Sequence, residues 1–145
     1  NFEDFNSNRK YNKWAAYGQS KLANLLFTSE LNRRLKRAES NLRAIAVHPG
    51  YSDTNLQANA YQGKNSKAIY FANRLFAQSA EQGSWPSLYA ITEELPGDSF
   101  IGPDGLFESK GHPKFVNRSK AARNEETAEK LRRLSEELTG VKYNF

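Results

Sequence analysis

The strongest constraint on the fold is a long helix-patterned run that gives way almost at once to a short apolar one. Residues 13–37 contain no proline, and their single glycine, Gly18, lies near the start. Leu22, Leu25, Leu26 and Ser29 fall at helical spacing, with Leu31 and Leu35 extending the apolar side. This predicts one long amphipathic helix, ended by Glu39-Ser40-Asn41. Residues 42–47, LRAIAV, then read as a buried parallel strand. His48-Pro49-Gly50 stops it, because proline and glycine break regular structure. Helix, tight return and buried strand make half of a βαβ crossover, so an α/β fold built on a parallel sheet is expected.

The rest of the chain supplies helices more readily than strands. Residues 1–12 and 55–64 are polar and read as loops, and residues 66–77 carry Ile69, Ala72, Leu75 and Phe76 at helical spacing. Ser79 with Gln82 forms a capping-box pattern ahead of a helix holding Trp85, Leu88, Tyr89 and Ile91. Pro86 is expected to kink that helix or reset its start. Ser99-Phe100-Ile101 suits a last short strand, and Gly102-Pro103-Asp104-Gly105 a turn. A final helix over residues 124–139 is favoured by Glu125 and Glu126 at its start and Gly140 at its end. Its expected buried stripe is Ala128, Leu131, Leu134, Ser135 and Leu138. Two strands do not make a stable open sheet, so a strand-rich neighbour is expected.

Composition removes several function classes. Of 145 residues, 38% are hydrophobic and 26% charged, which suits a folded domain better than a disordered tail. No apolar run approaches the roughly 18 residues of a membrane-spanning helix. With no cysteine and only His48 and His112 as histidines, disulfides, a thiol nucleophile and a histidine-rich metal site are not expected. The net charge of +5 could favour an anionic partner such as a phosphorylated cofactor. The basic clusters, Arg33, Arg34, Lys36 and Arg37, then Arg132 and Arg133, lie towards helix C-terminal halves and read as solvated faces. No helix-turn-helix, zinc or stacking-platform motif accompanies them, so no nucleic-acid partner is expected. The opening NFEDFNSN lacks the pattern of a signal peptide, and the chain has no methionine. The expectation is a cytoplasmic protein whose sequence starts inside a longer gene product.

Tyr17 and Lys21 stand four residues apart on the first predicted helix, which brings their side chains to one face. A phenol titrates near about pH 10, and an adjacent ammonium favours the phenolate. A phenol tuned in this way can give a proton to a carbonyl oxygen or take one from an alcohol. By spacing alone, the pair reads as an exposed tyrosine beside an exposed lysine.

The surrounding residues point further. Residues 17–24, YGQSKLAN, closely resemble the active-site helix of the short-chain dehydrogenase/reductase family. Residues 14–35 are most similar to its retinol-dehydrogenase-like and protochlorophyllide-reductase-like branch. The stretch His48-Pro49-Gly50-Tyr51-Ser52-Asp53-Thr54 resembles that family's Pro-Gly turn followed by a threonine. SAEQG at 79–83, FIGPDG at 100–105 and LTGV at 138–141 look like late segments of the same branch, so the resemblance spans nearly the whole chain. It implies the C-terminal part of a doubly wound, Rossmann-type parallel sheet, with residues 1–145 forming one portion of a single domain. It implies Tyr17 as general acid/base, and Lys21 as its tuning cation and a ligand of the nicotinamide ribose. Pro49, Gly50, Ser52 and Thr54 would cradle the nicotinamide carboxamide of NAD or NADP.

The glycine-rich pyrophosphate turn and the catalytic serine of this family lie in segments that precede the part matched here. An upstream half of the same protein is therefore an expected partner. Residues 55–76 occupy the family's variable substrate lid, where Tyr61, Ile69, Tyr70 and Phe71 read either as pocket lining or as core. The implied activity is interconversion of a largely apolar alcohol and its carbonyl by hydride transfer. The implied assembly is a homo-oligomer through the helix at 13–37. The alternative reading is a fragment or remnant that cannot bind cofactor alone, and the isolated 145 residues are expected to be inactive.

Overall fold

A computed structural model describes residues 1–51 and 78–142. The elements run α1 (Lys13–Arg37), β1 (Ala46–Val47), α2 (Ala80–Thr92), β2 (Phe100–Pro103), β3 (Pro113–Phe115) and α3 (Glu125–Thr139). Short 3-10 turns occur at Leu106–Glu108 and Ala121–Arg123. Two compact units result: Asn1–Ala46 with Arg118–Phe145, and Val47–Asn117.

In the first unit α1 has the predicted bounds. Asn12 caps it, its Oδ1 accepting the N–H groups of Trp14 and Ala15, each at 3.0 Å, a contribution of about 1 kcal/mol. Arg34, Lys36 and Arg37 in the last turn complement the helix dipole. Helix α3 packs on α1, capped by Asn124, whose Oδ1 accepts from Thr127 N–H at 2.7 Å. The shared core is Leu26, Ala128 and Leu131, flanked by Phe2, Phe5, Leu22 and Ala23. Residues 1–12 are an ordered loop. The Asp4 carboxylate accepts the N–H of Arg9 at 3.2 Å and of Lys10 at 3.1 Å, and Lys130 Nζ sits 4.6 Å from the Phe2 ring centroid.

Two expectations fail in this unit. Leu138 is exposed, because the last turn of α3 runs past the core. Arg33 and Arg34 are not a freely solvated face, since the buried residues of α1 include Glu30 and Asn32. Arg34 Nε lies 2.6 Å from Glu30 Oε1, Arg33 Nη2 bonds Oε2, and Arg132 of α3 brings its Nε to 3.7 Å. A buried carboxylate is tolerated only with such partners.

In the second unit β2 pairs antiparallel with β3, with Ile101 opposite Phe115, Gly102 opposite Lys114 and Pro103 opposite Pro113. The sheet order is β1-β2-β3, a mixed sheet, and α2 packs on β2 and β3. Three readings change here. The strand expected at 42–47 contracts to Ala46–Val47, and Leu42 is exposed. Among the described residues only β2 flanks β1, and an apolar run is buried as a strand only when neighbours cover it. Gly102 and Pro103 belong to β2 rather than to a turn, because pairing with the unforeseen β3 overrides local turn preference. Helix α2 starts at Ala80, where the Ser79–Gln82 capping box sets it, and continues through a buried Pro86. Burial of the proline ring offsets the missing backbone donor.

Candidate functional site

Tyr17 and Lys21 share one face near the start of α1, with Lys21 Nζ 5.4 Å from the Tyr17 ring centroid. Tyr17 is 53% exposed, and Lys21 is exposed as well. Among the described residues the Tyr17 hydroxyl has no hydrogen-bond partner and the Lys21 ammonium no carboxylate. Their support comes from α1 itself. The Asn12 cap anchors its first turn, and Gln19 Nε2 donates to the Phe5 carbonyl at 3.1 Å, which fixes the helix against the loop before it. The outcome is a phenol and an ammonium side by side, open to a ligand. That donor set fits a substrate oxygen and the vicinal hydroxyls of a ribose.

Pro49 and Gly50 belong to the second unit. Gly50 has φ +68°, and a Cβ there would lie 2.4 Å from the Ser109 carbonyl oxygen and 2.8 Å from Pro103 Cγ. The glycine thus answers to close packing by its own chain as well as to backbone conformation. The Ser109 carbonyl also accepts the N–H of Tyr51 at 2.6 Å.

His48 holds the other side of the turn. Its Nδ1 accepts the Gly50 N–H at 3.2 Å, so the neutral ring carries its proton on Nε2. The ring packs 5.1 Å from that of Phe100 and over Gly102, where a Cβ would stand 1.9 Å from Nε2. Nε2 lies 3.3 Å from the Glu108 carboxylate, outside hydrogen-bonding geometry. Burial pushes His48 below the ordinary histidine value, and Glu108 pulls partly the other way. His112 stacks on Trp85, the ring centroids 5.3 Å apart.

Ser52 and Thr54 lie outside the described residues, as do the loop at 55–64, the helix expected at 66–77 and Tyr61, Ile69, Tyr70 and Phe71. Sequence reasoning missed two polar residues. Glu30 had a usable signal, since Arg33 and Arg34 follow at i+3 and i+4. Gln78 had none. It is only 3% exposed, its N–H donates to the Tyr51 carbonyl at 2.9 Å, and its Nε2 donates to the Pro49 carbonyl.

No protein-family model matches the chain. Curated relatives do match it. Mouse retinol dehydrogenase 12 is 37% identical over 146 residues, covering 98% of this chain and 42% of the relative. Human retinol dehydrogenase 13 is 36% identical, covering 97% and 41%. Human polyprenol dehydrogenase is 32% identical, covering 97% and 41%. The chain belongs to the short-chain dehydrogenase/reductase family. The crystal structure of an uncharacterised protein from Mycobacterium paratuberculosis superposes on the whole chain with a TM-score of 0.75 at 44% identity, covering 46% of that protein. The α/β architecture is accordingly the C-terminal portion of this family's Rossmann-type fold. The chain spans about two fifths of the length of the curated relatives, their C-terminal part. Among the described residues no helix is long and apolar enough to cross a membrane.

Proposed function

We propose that this chain is the acid/base-bearing part of a nicotinamide-dependent oxidoreductase that interconverts an alcohol and its carbonyl. The observation that carries the reading is the Tyr17–Lys21 pair, with ammonium and phenol ring 5.4 Å apart on an exposed helix face, in a chain of this family. The bound cofactor, NAD or NADP, supplies or accepts the hydride. Tyr17 gives its phenolic proton to the carbonyl oxygen during reduction, or takes the hydroxyl proton during oxidation. Lys21 sets its positive charge beside the phenol and would donate to the ribose hydroxyls. Pro49, Gly50, Ser52 and Thr54 would hold the nicotinamide. The part of the protein preceding this segment would hold the pyrophosphate and supply the serine that polarises the substrate oxygen. Relatives named for retinol and polyprenol suggest a largely apolar alcohol as substrate.

The test uses the full-length protein containing this sequence. Tyr17→Phe should lower kcat by about 10²- to 10⁴-fold, the usual contribution of general acid/base catalysis, while the cofactor dissociation constant stays near wild type. Lys21→Ala should damage both. A Tyr17→Phe enzyme with near-normal turnover of retinol-like and other apolar alcohols would refute the assignment.

A further inference from the structure

The turn after β1 is gripped from two directions by side chains of residues that are not themselves among the predicted site residues. The peptide joining Pro49 to Gly50 has two polar atoms, and both are engaged. Its carbonyl accepts from Gln78 Nε2, and its N–H donates to His48 Nδ1 at 3.2 Å. The plane of that peptide, and with it the direction in which the chain leaves towards Tyr51, is therefore set by the two side chains together. Gln78 does more than close one bond. Its Oε1 accepts the N–H of Gly111 at 3.2 Å, while its own backbone N–H reaches the Tyr51 carbonyl at 2.9 Å. One buried amide thus ties the Pro-Gly turn to the loop between β2 and β3.

That loop is itself closed. Gly105 N–H donates to the Lys110 carbonyl at 2.9 Å, and the Asp104 carboxylate accepts from His112 N–H at 2.8 Å. It is a fixed anchor against which Gln78 can hold the turn. A side chain buried to 3% exposure is retained at such a place only when its polar atoms are satisfied. A primary amide can donate at one end and accept at the other, as the Pro49 carbonyl and Gly111 N–H require.

We propose that Gln78 is a positioning residue for cofactor binding, setting the Pro49-Gly50 turn through the Pro49 carbonyl. This rests on the reading of that turn as part of the nicotinamide cradle. Gln78 bonds the turn itself, at the Pro49 carbonyl. It acts by holding the peptide plane, so its loss weakens cofactor binding more than it slows proton transfer at Tyr17.

The full-length protein provides the test, with kcat and the KM of cofactor and of substrate measured separately for wild type, Gln78→Met and Gln78→Glu. Methionine removes both side-chain bonds at similar length. Glutamate keeps an acceptor for Gly111 and loses the donor to Pro49. Both variants should raise the cofactor KM about tenfold, the equivalent of a hydrogen bond or two, with a smaller change in kcat and in substrate KM. A role limited to stability would instead lower the melting temperature and leave the cofactor KM unchanged, and that result would overturn the proposal. Should Gln78→Met not accumulate as folded protein, the Gln78→Glu comparison decides in the same way. The shift in melting temperature on adding cofactor gives a second readout for that variant. Wild-type protein without cofactor-dependent turnover would defeat the functional reading and this proposal together. Wild-type turnover with an unchanged cofactor KM in the variants would defeat this proposal alone.

Discussion

The two candidate clusters reach their geometry by different physics. Tyr17 and Lys21 are neighbours because helix periodicity makes residues four apart share a face, and the cap at Asn12 starts that helix. The Pro49-Gly50 turn is shaped by partners far along the chain, namely Gln78, Pro103 and Ser109. A locally set pair survives most distant changes. A turn set by long-range packing responds to each of them. The contrast also separates the roles proposed here: the acid/base pair stands open to solvent, and the turn is held by bonds from its own chain.

The largest expected effect would break the idea that the helix pair is simple local structure. Glu30 is 2% exposed and meets Arg33, Arg34 and Arg132. Glu30→Ala should lower unfolding stability by about 3 kcal/mol, the low end for a broken buried pair, because it leaves the partly exposed Arg33, Arg34 and Arg132 without their shared carboxylate, with chemical denaturation as the measurement. A loss below about 1 kcal/mol would mean that the cluster behaves as a surface one. An intermediate effect is expected on the other side of the comparison. Gly50→Ala forces a Cβ into the left-handed region and against the Ser109 carbonyl, a strain of about 1–3 kcal/mol, and should also weaken cofactor binding. An alanine variant matching wild type in both thermal melt and cofactor affinity would show that the turn is not packed as described.

The smallest effect concerns pH. Burial lowers His48, with Glu108 opposing, so the unfolded chain binds the proton more readily than the folded one. This stability term is fully present above the ordinary histidine value near 6.5. It shrinks as pH falls from there through the lowered folded value. Protonation at Nδ1 would also remove the acceptor for the Gly50 N–H. An NMR titration of the His48 ring should place its midpoint below the ordinary value, and a midpoint at or above it would contradict the burial described here.

Legibility in the sequence followed the same division. The bounds of α1, the capping box at Ser79 and Gln82, and the end of α3 at Gly140 were all readable, because each depends on residues within one or two turns of helix. The Tyr17–Lys21 juxtaposition belongs with them. The misreadings at residues 42–47, at Gly102-Pro103 and at Leu138 all turn on what lies opposite in space. A strand's length depends on its neighbours, and the Gly102-Pro103 pair becomes strand when β3 arrives to pair with it.

By itself, then, the sequence determined the helices, their caps and the shared face of Tyr17 and Lys21, because backbone hydrogen bonds within a helix join residues four apart. Only the tertiary structure decided that Arg132 reaches the buried Glu30, that β2 continues through Pro103, and that Gln78 grips the Pro49 carbonyl. Those features are bonds and contacts between residues far apart along the chain, and they exist only once folding has closed the loops between them.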